Sequence, residues 1–260
     1  MSKYFTVEVE PTIPGDRQAA NGSAYNSKDV LFDWEPIQVP KGANKLTAIT
    51  AAFRGTNGGS GTNNLDFDLV FAKSIDSTAP ATLGNSNASV SAAPVVANHI
   101  IGIAHIDGTG GYGAQGFDFF NVGAAGTGAA ANLMPELVLQ GEPTSGDNVG
   151  FDTIYIAGIA GGAFDFGTTV LVRGAIAADN TTTIPTDAGS DDDPNADLIF
   201  AVGDVLETGT GDTVGTISSI AAFGSSKQDI TLTANNVEAI ADNEELFNVN
   251  PIRLVLSFER

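Results

Sequence analysis

The sequence predicts an all-β protein: an antiparallel β-sandwich of jelly-roll-like type, with a small β-barrel module inserted near its end and a C-terminal strand that returns to the sandwich. Three observations carry this. Apolar and polar residues alternate over many short runs, the period of a half-buried strand. Turn residues separate those runs at intervals of roughly 8–12 positions, the spacing of sandwich and barrel hairpins. Finally, residues 199–248 hold a complete set of short strands, and an isolated apolar strand follows, IRLVLSF at 252–258, with no neighbour in sequence left to pair with.

Taken in order, residues 4–10 alternate Phe5, Val7 and Val9 against Thr6, Glu8 and Glu10, and Pro11 and Pro14 end that strand. Residues 15–28 read as a polar loop. Residues 30–39 and 46–54 are strands, with Pro36 and Pro40 marking an edge or a break. A Gly/Asn-rich tip, 55–64, leads to LDFDLVFAK at 65–73, with Leu65, Phe67, Leu69 and Phe71 facing inward. Residues 74–98 form a long loop with room for a short helix. Strands 99–106 and 117–122 flank the Gly-rich tip DGTGGYGAQG, and 123–132 is a low-complexity loop. Residues 137–140, 151–159 and 168–176 supply the last strands of this region. The Phe67/Phe71, Phe117/Phe119 and Phe164/Phe166 stripes fit the inner faces of a sandwich.

Domain boundaries follow from composition. The main sandwich is expected over 1–178 plus 251–260. The polar, acidic and Pro-containing stretch 179–198 reads as a linker. The barrel module, SH3-like or OB-like in size, occupies 199–250, and Pro251 marks its exit.

Charge and cysteine usage exclude several function classes. The formal charge is −20, from 31 acidic against 11 basic residues. Such a surface repels phosphate backbones and anionic bilayers, so neither nucleic acid nor membrane is an expected partner. Without cysteine there is no disulfide, thiolate nucleophile or Cys-bound metal. The N-terminus alternates like a strand and lacks the regions of a signal peptide, so synthesis in a cytoplasm is expected. No apolar run reaches the ~18 residues of a membrane span.

The run FAVGDVLETGTGDTVGTISSI…QDITLTANNVEAIADNEELF resembles small barrel modules that recur in virion proteins of tailed phages. The runs FTVEVEPTIPG, LDFDLVFAKS and IYIAGIAGGAFDFGTTVLV resemble structural proteins of T4-like marine phages. The resemblance implies a non-enzymatic virion protein assembled in the host cytoplasm. Its expected role is capsid-surface (head) decoration, through contacts with the major capsid protein and with its own copies, by analogy a trimer. A tail or baseplate component, or a carbohydrate- or calcium-binding surface module, is the alternative.

Candidate chemistry is sparse, and no catalytic residue or cofactor site is assigned. Asp191, Asp193, Asn195 and Asp197 alternate like the start of a calcium loop. Ala196 stands where an EF-hand needs Gly and Val202 where it needs Glu, so the run also reads as a solvated acidic linker. His99 and His105 face the same side of one strand, about 20 Å apart at ~3.3 Å per residue, too far to share a metal. His105 and Asp107 face alike, but no nucleophile accompanies them. The Gly-rich tip at 108–116 lacks the following helix and Lys of a phosphate loop, and reads as a hairpin tip or subunit contact. Asp66, Asp68 and Asp165 could pair as glycosidase carboxylates. With one Trp and four Tyr, the chain lacks the aromatic lining of a sugar cleft.

Overall fold

The computed structural model describes residues 3–18, 24–54, 66–91, 98–106, 137–143, 150–163, 166, 170–187, 195–224 and 227–260, with the backbone alone of 112–114 and 117–122. In chain order the strands are β1 (Tyr4–Val9), β2 (Val30–Pro40), β3 (Asn44–Arg54), β4 (Phe67–Lys73), β5 (His99–Ile106), β6 (Tyr112–Ala114), β7 (Phe117–Val122), β8 (Leu137–Leu139), β9 (Phe151–Ala160), β10 (Val170–Leu171), β11 (Thr183–Thr186), β12 (Val205–Thr208), β13 (Thr213–Ile220), β14 (Gln228–Leu232), β15 (Glu245–Asn248) and β16 (Ile252–Glu259). One short helix, α1 (Ala196–Ile199), precedes β12. The strands pair antiparallel throughout the described residues.

The sandwich consists of two facing sheets. One has the order β1-β16-β3-β7-β6, with β8 also paired to β3; the other has the order β2-β9-β4-β5. Inward residues of both sheets form one core, as the period-2 pattern requires. Phe53 of β3 meets Phe67 of β4 edge-on, ring centroids 5.5 Å apart. Ile252, Leu254, Leu256 and Phe258 of β16 are buried in that core, while Arg253, Val255, Ser257 and Glu259 alternate outward. β16 is an interior strand, bonded to β1 on one side and β3 on the other. The prolines of β2 are tolerated because β2 is the edge of its sheet. Over the outer face of that sheet, Leu83 and Val90 pack on Val30, Trp34, Ala157 and Ile159.

The second body is a barrel inserted between β9 and β16. Its strand order is β10-β15-β12-β13-β14-β11. A bridge between Val172 and Thr186 joins the two ends, with Arg173 N–H donating to Pro185 O (2.8 Å) and Asp187 N–H to Leu171 O (3.0 Å). Closure leaves no free edge between β10 and β11.

The boundaries differ from those expected. The segment read as a linker, 179–198, contributes β11 and α1, and Ile184, Ala196 and Ile199 belong to the barrel core. Residues 170–176, expected as a sandwich strand, also belong to the barrel: Val170 pairs with Leu246, and Val170, Val172 and Ile176 are buried in its core. The barrel therefore begins near residue 170. A six-strand barrel needs these pieces because β12 to β15 alone would leave one side of Leu206, Ile230 and Leu246 open to water.

Candidate functional site

The most elaborately built region is the junction between the two bodies. Pro11 and Pro14 cannot donate to a ladder, so the chain leaves β1 and crosses to the barrel as a strap. Ile13 is fully buried and its N–H donates to Val249 O at 2.8 Å. Gly15 opens a single 3-10 turn, Gly15–Arg17, packed against β12. A Cβ at this position would lie 2.4 Å from the carbonyl oxygen of Thr208, so only glycine fits. Its N–H donates to Glu207 Oε2 at 2.9 Å. Gln18, 1 % exposed, donates from Nε2 to Asn248 O (2.7 Å) and to Ile13 O. At the barrel exit, Asn250 Nδ2 donates to Glu10 O at 3.0 Å, and Arg54 N–H to Pro251 O at 2.7 Å.

Beside the strap, the outer face of β3 and β16 and the turn at 201–204 enclose a groove of about 770 Å³. Thr50, Ala52 and Val255 form its floor and Val202 stands exposed on its wall. Arg54 bridges the groove to Asp204 at 2.8 Å, and Arg253 pairs with Glu8 and, at 3.8 Å, with Glu10. Burial pushes the Asp204 carboxyl above its ordinary value, against the opposing pull of the Ala201 N–H and of Arg54. Burial likewise raises Glu207, opposed by the Gly15 N–H. The groove thus combines compensated ion pairs with apolar and small side chains, which suits holding one body on the other and presenting a contact surface.

A second cluster lies at the β4–β5 edge. Asp68 and His105 are directly in register. His105 Nδ1 is 2.8 Å from Asp68 Oδ1, and Nε2 is 3.1 Å from Asp66 Oδ1. The two aspartates thus meet a histidine. The ring nitrogens diverge, so these three groups do not converge on one point; no group of three or more His, Asp or Glu among the described residues is placed to hold a metal ion.

Of the candidate calcium ligands, Asp191 and Asp193 lie outside the described residues. Asn195 is the N-cap of α1 and Asp197 lies in its first turn, with no side-chain cap bond from Asn195. Asp165 and Asp107 also fall outside, as does the tip at 108–116 apart from the backbone of 112–114, which forms β6. His99 is in register with Lys73, at the far end of the ladder from His105.

Gly15 and Gln18 go unread in the sequence because 15–28 reads as a polar loop, and Glu207 because its partner, the Gly15 N–H, is 192 residues away. Tyr25 was the available signal: a large aromatic inside that loop, which the fold buries completely, its ring edge-on to Phe166 at 5.9 Å. Compared with models of known protein families and with curated proteins, the chain matches none.

Proposed function

We propose that this chain is a non-enzymatic structural protein of a virus particle, a decoration protein on the capsid surface of a tailed phage. It acts through contacts with the major capsid protein and with its own copies, as a homo-oligomer, without nucleic acid, membrane or cofactor. The reading rests on the resemblance of its strand runs to virion proteins. The structural observation that supports it best is the strapped junction: a closed barrel seated on a sandwich by Ile13, Gly15, Gln18 and Arg54. Such a two-lobed body suits a part whose work is to present surfaces. The barrel's turns carry Val202, Phe223 and Val237 outward, 67 %, 46 % and 52 % exposed, on a strongly acidic chain. Apolar tips that the core does not need are suited to packing on neighbours.

The test is co-sedimentation of the purified chain with phage heads that lack it, alongside its mass in solution by light scattering. Binding that saturates at a fixed number of copies per head, by an oligomeric species, is the expected result. A stable monomer that sediments with no particle overturns the proposal.

A further inference from the structure

We propose that His105 is a proton-operated clasp, closed in its imidazolium form, that fastens edge strand β5 to β4. The argument starts from the two ring nitrogens. A neutral imidazole carries one N–H and one lone pair. Here Nδ1 is hydrogen-bonded to Asp68 Oδ1 at 2.8 Å, and Nε2 lies 3.1 Å from Asp66 Oδ1 in a charge contact that lacks hydrogen-bond geometry. With either proton missing, the ring loses its positive charge beside two carboxylates. The Asp66 Oδ1 atom is itself shielded from solvent, while the His105 side chain is 56 % exposed, so water screens the contact in part. The doubly protonated ring keeps the Asp68 hydrogen bond and is the form that both nearby carboxylates favour.

The register explains the geometry. Asp66 and Asp68 are two residues apart, on the same side of their strand, and His105 lies opposite Asp68. The cation therefore separates two carboxylates that would otherwise face each other. Asp66 also accepts the Gly161 N–H at 2.6 Å through its backbone carbonyl, where the chain turns away from β9 toward the barrel. The clasp thus ties β5, the start of β4 and that exit together. Among the described residues, β8 and the turn at 161–163 bring no charged group to His105, and Lys73 lies at the opposite end of the ladder. β5 is the outer strand of its sheet and carries Ile103, 52 % exposed, beside the clasp.

The sign follows by linkage. Two carboxylates favour the charged ring, so the histidine holds its proton more tightly folded than unfolded. The clasp is closed in acid and opens as pH rises through the folded midpoint. Opening removes this side-chain tie, leaving β5 held by its ladder to β4 and by the core packing of Ala104 and Ile106.

The chain has two histidines, so its imidazole spectrum is simple to assign, with a His99→Gln variant identifying each. Nitrogen-15 NMR of the full chain is expected to show both His105 ring nitrogens protonated near pH 7. Its midpoint should lie above the ordinary histidine value of about 6.5, and should fall in Asp68→Asn and in Asp66→Asn. Amide exchange in β5, corrected for intrinsic base catalysis, should accelerate above that midpoint, and His105→Gln should exchange at the fast rate throughout. A neutral tautomer near pH 7, a midpoint that neither variant lowers, or β5 exchange indifferent to His105 would each overturn the proposal.

Discussion

The guanidinium of Arg54, at the end of β3, donates to the carboxylate of Asp204, 150 residues further on in the barrel, at 2.8 Å. The Asp204 side chain is 9 % exposed and the Arg54 side chain 29 %. The pair is too sheltered to count as a surface salt bridge and too open for the full cost of a buried one. Arg54→Ala is expected to cost about 1–2 kcal/mol, most of it from leaving Asp204 without its cation. A double-mutant cycle with Asp204→Asn, by urea unfolding, should return a coupling of about 1 kcal/mol.

Gln18 makes the more demanding contact. Its side chain reaches two backbone carbonyls, one from the strap and one from β15, in a site closed to solvent. Gln18→Ala should destabilise by roughly 2–3 kcal/mol, because both oxygens lose their donor where water cannot replace it. Gln18→Glu should cost more, since it sets a carboxylate against carbonyl oxygens. Denaturant melts that rank alanine as the more damaging change would show that water reaches this site.

Gly15→Ala tests the close approach of the strap. The added methyl would meet Thr208 O, a backbone atom that cannot rotate away. The expected loss is about 1–3 kcal/mol, with raised proteolytic susceptibility in the strap. Gly42→Ala is the control: its φ is +105° and nothing lies within 4 Å, so any cost there is backbone strain alone.

Much of the sandwich is legible in the sequence because its strands alternate over long runs. β4 and β16 announce themselves by period and β9 by its apolar run, and the isolation of β16 points to a distant partner. The barrel's closing strands carry no such signal. β10 is two residues long, and β11 has one buried apolar side chain, Ile184, beside a proline in an acidic, Thr-rich stretch. Their burial comes from a partner outside the local sequence. The same holds for the sites: Arg54 finds Asp204, and His105 finds Asp68, only once register and insertion are fixed. Sequence spacing alone pairs His105 with Asp107.

Acid is expected to stabilise this protein over the upper carboxylate range. Burial raises Asp204, Glu207, Glu35 and Glu245 above their ordinary values. A group whose folded pKa is raised contributes stability that is present below its unfolded value and lost as pH rises through the folded one. Melting temperature should therefore rise as pH is lowered from neutrality toward the ordinary carboxylate range. Relief of repulsion in a chain of charge −20 acts in the same direction. A melting temperature that falls over this interval would mean that lowered carboxylates, such as Glu259 beside Lys3, govern the balance.

The account depends on one topological claim: the sandwich is unfinished until the barrel has been made and β16 returns between β1 and β3. Ending the chain at residue 250 removes four fully buried side chains, Ile252, Leu254, Leu256 and Phe258, each worth ~1.5–3 kcal/mol. That loss rivals the whole stability of an ordinary domain. The single tryptophan, Trp34 on β2, reports on the sandwich alone, its indole N–H donating to Ala81 O at 2.9 Å. The decisive measurement is thermal unfolding of the 1–250 chain by Trp34 fluorescence. The expected result is an emission already red-shifted at low temperature, with no cooperative transition. A transition at the midpoint of the full chain would contradict the claim.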